Sequence, residues 1–211
     1  RFKEVKAGLP GQTKALFTGI AFPGQRAAEL AGTLSLETAD LRSLSGWLWP
    51  DVKAALEANW TGARGHLKAE GKVNWNEGRL SLQQMAYDLD GGAGTADIAF
   101  RPGAVPGLDV NLTAQRVDLD SYLPLGMSAL SAGHEANWFA ALNGLIQSGA
   151  DFEQRLTLAL AELKLNGVTA RDVAMDVNSG LRGLEIKRFD VGSAQGAALA
   201  ASGSVLRGVD G

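Results

Sequence analysis

The amino-acid sequence predicts a mainly β fold: a curved antiparallel sheet built as a meander of hairpins, with one or two short helices. Three observations carry that prediction. Apolar and polar residues alternate with period two along most of the chain. An Asn-Gly pair separates two alternating runs that match each other, and 27 glycines lie dispersed between short apolar runs. Period two puts successive side chains on opposite faces of a strand, and scattered glycine marks turns.

The clearest unit runs from Arg155 to Asn178 around Asn166-Gly167. A two-residue type I′ turn needs positive φ at both central positions, which Asn and Gly supply at least cost. With those two residues as the loop, Leu165 faces Val168, Leu163 faces Ala170, Leu160 faces Val173, Leu158 faces Met175 and Leu156 faces Val177. Apolar meets apolar at all five positions. The apolar parity is odd at Leu163 and Leu165 but even at Leu156, Leu158 and Leu160, and the partner run switches between Ala170 and Val173. Either both strands bulge near Ala161–Glu162 and Arg171–Asp172 or the buried face changes there, and both options bend the sheet. Similar breaks separate Leu82 from Met85, Ala114 from Val117, and Ile186 from Phe189.

Internal repetition points to a serial architecture. The run from Gly78 matches the run from Leu181 at an offset of 104, pairing Leu80 with Leu184, Leu82 with Ile186, Met85 with Phe189 and Tyr87 with Val191. The run Leu34–Leu44 matches the run from Leu112 at an offset of 78, with Asp40-Leu41 meeting Asp118-Leu119. Two stretches break the β pattern. Pro50-Asp51 is suited to open a helix over Val52–Asn59, and Trp138, Leu142, Leu145 and Ile146 fall at helical spacing within His134–Gln147. The whole of 1–211 reads as one β-rich segment with a candidate sub-boundary near 127–152.

Composition excludes several classes. The formal net charge of −3 and the scattered basic residues argue against a nucleic-acid partner. Absence of cysteine removes disulfides, Cys-based zinc sites and thiol catalysis. No apolar run approaches the ~18 residues that span a bilayer. The chain starts at Arg1 without a signal-peptide pattern, so a segment excised from a longer protein is expected, with any membrane anchor outside it.

Chemistry-bearing residues are sparse. His66 and His134 stand far apart, with no further His or Cys at ligand spacing. The pairs Asp88/Asp90 and Asp118/Asp120 resemble paired carboxylates, but each flanks a leucine at a strand end, so polar-face or turn-cap roles are expected. Gly91-Gly92-Ala93-Gly94 lacks the Lys-Ser/Thr of a phosphate loop and reads as a hairpin turn. Trp47 and Trp49, beside Pro50, are placed to cover the end of the sheet or to contact a membrane or partner. No catalytic, metal or cofactor site is expected, and no enzymatic activity.

The run LTLALAELKLNGVTARDVAMDVNSGLRGLEIKRFDVGSAQGAALAASGSV, with GKVNWNEGRLSLQQMAYDLDGGAGTADIAF and LDVNLTAQRVDLDSYLP, resembles the C-terminal region of the AsmA-like family. That family is related to TamB and other bridge-like lipid transfer proteins. The resemblance covers about residues 14 to 206 and rests on the pattern of strand, Gly-rich turn and Asp-Leu exit. It implies a non-enzymatic periplasmic segment of a protein anchored in the bacterial inner membrane and linked to outer-membrane biogenesis. It further implies a phospholipid or other acyl lipid as partner, held along an apolar sheet face, with the rest of the parent protein as neighbour.

The lipid-facing candidates are Leu80, Leu82, Leu156, Leu158, Leu160, Met175, Leu184 and Ile186. Whether they line an open groove or a closed core stays open at this point. A scaffold that captures outer-membrane protein precursors by pairing at a sheet edge is the alternative.

Overall fold

A computed structural model describes residues 4–23, 28–48, 65–118, 120, 152–165 and 167–206. These form eleven strands: β1 (Val5–Leu9), β2 (Thr13–Pro23), β3 (Ala28–Thr38), β4 (Leu67–Asn76), β5 (Arg79–Leu89), β6 (Gly92–Arg101), β7 (Gly107–Asp118), β8 (Glu153–Leu165), β9 (Val168–Gly180), β10 (Gly183–Ala194) and β11 (Ala197–Leu206). One helix, α1 (Leu41–Leu48), lies in the connection from β3 to β4. All strands join one open sheet in the order of the chain, β1 to β11. At ~4.8 Å between neighbours, its ten spacings span roughly 48 Å.

The β8–β9 hairpin takes the register read from the sequence, with all five apolar pairings in place. Gly167 has φ +72°, as the turn requires, while Asn166 lies outside the described residues. The parity breaks correspond to two kinds of irregularity. In β5 the pairing shifts against both neighbours around Gln83 and Gln84. Gln84 sits at φ +53°, and its N–H donates to Asp97 Oδ1 at 2.8 Å, so the side chain on β6 satisfies the donor that the bulge releases. β10 shifts equivalently around Lys187.

The second kind crosses several strands at one level. Pairing is interrupted between Ala114 and Arg116, Leu160 and Glu162, and Arg171 and Val173, yet the register on either side is unchanged. Asp172 there has φ +53°. Leu163 and Ala170 beyond the interruption pack on the same cluster as Leu160 and Val173. Of the two options, the strands bulge and the buried face does not change.

Two features depart from the sequence-based expectation. The sheet is mixed, because β7 and β8 pair in parallel while the other nine pairings are antiparallel. A side-chain period of two reports faces and is blind to strand direction, so nothing in the pattern marks this seam. The connection from Asp118 to Glu153 has the length a parallel crossover requires.

The second departure is α1, in a stretch read as a strand exit. Asp40 N-caps it, accepting from Ser43 N–H at 3.1 Å and from Ser43 Oγ at 2.8 Å, and Leu44 is buried beneath it. The helices expected over Val52–Asn59 and His134–Gln147 lie outside the described residues, as does nearly all of the sub-boundary near 127–152.

Candidate functional site

Residues paired across successive strands share a face, so each ladder position defines a rung crossing the whole sheet. The rung through Leu160 reads Ala7, Ala15, Leu36, Ala69, Tyr87, Gly94, Ala114, Leu160, Val173, Val191, Leu199. One step along the strands, the rung through Leu158 reads Val5, Phe17, Leu34, then Gly71 facing Met85 across the bulge, then Ala96, Leu112, Leu158, Met175, Phe189, Ala201. The next runs from Gly19 and Gly32 through Val73, Leu82, Ile98, Val110, Leu156, Val177 and Ile186 to Gly203. No charged or amide side chain interrupts any of the three.

The rung between the first two, on the opposite face, reads Lys6, Leu16, Ser35, Glu70, Ala86, Thr95, Thr113, Ala159, Ala174, Asp190, Ala200. That face carries the cross-strand pairs Lys68–Glu37 at 3.4 Å and Arg155–Asp176 at 3.4 Å, so the sheet is apolar on one side and polar on the other.

All eight residues singled out from the sequence fall on the apolar face. Leu160 lies on the first rung, Leu158 and Met175 on the second, and Leu82, Leu156 and Ile186 on the third. Leu80 and Leu184 lie on a fourth rung, which also holds Trp75, Phe100 and Leu108 and is broken by Gln154 and Ser179. Sequence reasoning missed the share of β2 and β3, where Phe17, Leu34 and Leu36 extend the same rungs. The signal was the alternation in KALFTGIAF and LAGTLSLET.

The large side chains lie flat on this face. A Cβ at Gly94 would meet the Tyr87 ring at 2.5 Å, one at Gly32 would meet the Phe17 ring at 2.7 Å, and one at Gly71 would meet Met85 Sδ at 2.5 Å. Glycine opposite a long side chain leaves the backbone free to receive it. Burial forces the Tyr87 hydroxyl pKa above its ordinary value.

The core is correspondingly lateral. Ala114, Leu160 and Val173 form a buried cluster packed by Tyr87, Leu112, Val117, Leu163, Ala170 and Val191, every one a neighbour on the same face. Among the described residues, the extensive close backbone approaches run between adjacent strands, and the large side chains Phe17, Leu34, Leu112, Leu158, Met175 and Phe189 of the apolar face stay part-exposed.

The polar candidates are absorbed by turns. Asp88 Oδ1 accepts from Gly91 N–H at 2.8 Å, and Asp90 Oδ1 accepts from His66 N–H at 2.8 Å. Asp118 Oδ1 accepts from Asp120 N–H at 3.1 Å, while Asp118 Oδ2 holds Lys164 Nζ at 3.1 Å and Asp120 Oδ2 accepts from Gly167 N–H at 2.9 Å. These carboxylates close the ends of strands. His66 is exposed with Nε2 3.9 Å from Glu37 Oε1, and His134 lies outside the described residues. Among the described residues no three His, Cys, Asp or Glu side chains converge as metal ligands. Trp47 is half exposed on α1, and Trp49 lies outside the described residues. No family model, curated protein or solved structure matches this chain.

Proposed function

We propose that this chain is a non-enzymatic module that holds and conducts acyl lipid along the apolar face of its sheet. The reading assigns it to an AsmA-like periplasmic protein anchored in the bacterial inner membrane and acting in outer-membrane biogenesis. One observation carries the lipid reading. Apolar rungs run unbroken across all eleven strands, and their large side chains, Phe17, Leu34, Leu112, Leu158, Met175 and Phe189 among them, stay part-exposed. A closed domain buries such a face against a second layer, and an apolar surface of this extent is rare on a soluble monomer. An acyl chain laid across the rungs gains about 0.8 kcal/mol for each CH₂ removed from water. The family resemblance supplies the phospholipid class and the compartment.

The test is lipid capture with a photo-crosslinker at Leu158, compared with one at Thr157, the adjacent position on the polar face. Phospholipid joined to the Leu158 probe and absent from the Thr157 probe is the expected outcome. Purified protein that carries no lipid and crosslinks none at either position overturns the reading. The scaffold alternative has one observation in its favour: β11, AALAASGSVL, is an edge strand exposed along its whole length and bears no charge. Edges of that kind invite another strand. A probe on β11 that traps polypeptide, with no lipid at Leu158, selects that alternative.

A further inference from the structure

The two edges of the sheet differ in protection. β1 is five residues long and bears Lys6, ion-paired with Glu4 at 2.6 Å. β11 runs for ten residues, uncharged and exposed at every one. The bulges beside it belong to its neighbour: between Ile186 and Phe189, and between Val191 and Ala194, the extra residue lies on β10. β11 thus presents a regular ladder, with none of the charges, prolines or bulges that guard a free edge.

The apolar face reaches this edge incomplete. Five glycines lie on its three unbroken rungs: Gly19, Gly32, Gly71, Gly94 and Gly203. A Cβ at any of the first four would strike a large side chain, that of Phe17, Met85 or Tyr87. At Gly203 it would meet nothing within 4 Å, and the same holds at Gly196 in the β10–β11 turn. Beside these open seats stand three large exposed hydrophobic residues, Leu199, Val205 and Leu206.

We infer that β11 is a self-pairing interface, where a second copy of this chain adds its own β11 antiparallel about a two-fold axis through Ala201. An axis normal to the sheet keeps both apolar faces on one side and makes each contact twice. Odd residues must face odd ones for those faces to coincide. Centring the pair on Ala201 sets Leu199 against Gly203, Val205 against Ala197 and Leu206 against Gly196, so each large side chain meets glycine or alanine. The open seat at Gly203 receives Leu199 as Gly94 receives Tyr87 within the chain. This register also joins the rung ending at Leu199 to the one ending at Gly203, and the rung ending at Ala201 to itself. All three apolar rungs therefore continue into the second copy, whereas a shift of two residues either way sends one of them outside the set. Self-pairing needs no lipid, so it stands or falls separately from lipid conduction. Dilution below its dissociation constant returns the single chain, with Leu199 exposed.

The experiment is sedimentation velocity of the whole chain across a micromolar concentration series, with single-cysteine variants beside it. The unaltered chain is expected to dimerise reversibly. Ala201→Lys sets two ammonium groups opposite each other on the axis and weakens the dimer about a hundred-fold, while Val5→Lys, on the β1 edge, leaves it within about two-fold. The chain has no cysteine, so Ala201→Cys supplies one thiol per copy. Cross-strand partners have Cα atoms about 4.5–5.5 Å apart, within disulfide reach, so mild oxidation links this variant into a covalent dimer. Ala197→Cys, whose two thiols stand roughly 26 Å apart in this register, does not link. A chain that stays monomeric throughout the series overturns the inference. So does a dimer that survives Ala201→Lys or links equally through Ala197→Cys, and so does a β11 that captures only a different polypeptide.

Discussion

Leu160→Ala distinguishes an open face from a covered core by magnitude alone. Leu160 is 6% exposed, at the centre of the lateral cluster with Ala114 and Val173. Truncation removes three carbons, worth about 2.4 kcal/mol at ~0.8 kcal/mol per CH₂. In a covered core a cavity penalty adds to this, and Leu→Ala costs about 3–5 kcal/mol. On a single-layer face the vacated space opens to solvent, the cavity contribution drops out, and the expected cost is about 2 kcal/mol. Leu199 is the internal control. It occupies the same rung on the edge strand at 55% exposure, so Leu199→Ala costs about 1 kcal/mol. Equilibrium urea unfolding followed by far-UV circular dichroism and tryptophan fluorescence measures both, with coincident transitions as the check on two-state behaviour. A loss of 4 kcal/mol or more at Leu160 would show another layer closing over it, and equal losses at the two sites would refute the graded lateral core.

Two further substitutions probe the irregular positions. Burial pushes the Asp40 carboxyl up, but hydrogen bonds from the Ser43 hydroxyl and from the Ser43 and Arg42 backbone N–H groups, with the Arg42 charge, outweigh it and hold its pKa below the ordinary carboxylate value. The resulting stability is therefore present above the unfolded value and lost as pH falls through the lower folded one. Asp40→Ala should cost about 1 kcal/mol at pH 7 in urea unfolding, with the difference from the unaltered chain shrinking as pH falls below the ordinary carboxylate range; a difference that grows on acidification contradicts the cap. Gly192→Ala would place a Cβ 2.9 Å from Asp172 Cβ, costing about 1–3 kcal/mol. Asp172→Gly removes that contact and suits φ +53°, so a double-mutant cycle should return most of the loss.

The legible parts of this fold are those governed by which face a side chain occupies. The β8–β9 register and the breaks at Leu82–Met85, Leu160–Leu163 and Ile186–Phe189 follow from apolar parity, because one displaced residue sends every later side chain to the wrong face. The eight candidate residues share a face for the same reason. What parity does not encode was missed. Strand direction at the β7–β8 seam depends on a long connection, not on a face. Helix α1 is only two turns long, too short for its period to stand out from the neighbouring strand, and its signal was the Asp40-x-x-Ser43 cap.

That seam also accounts for the unequal repeat offsets. Residues matched at 78 share rungs: Leu34 with Leu112, and Leu36 with Ala114. Residues matched at 104 do so as well: Leu80 with Leu184, Leu82 with Ile186, Met85 with Phe189 and Tyr87 with Val191. β3 thus corresponds to β7, and β4–β5 to β9–β10, leaving β8 as the additional strand. One strand added to an antiparallel meander would reverse the direction of every strand after it. β9 and β10 would then run opposite to β4 and β5, and the repeated sequences could not present the same order of rungs. Pairing β8 in parallel with β7 absorbs the extra strand and restores the direction. The continuity of the apolar face therefore depends on the crossover. β8 carries Leu156, Leu158 and Leu160 in phase with rungs set by strands on both sides, and an antiparallel β8 entered by a short turn would break all three.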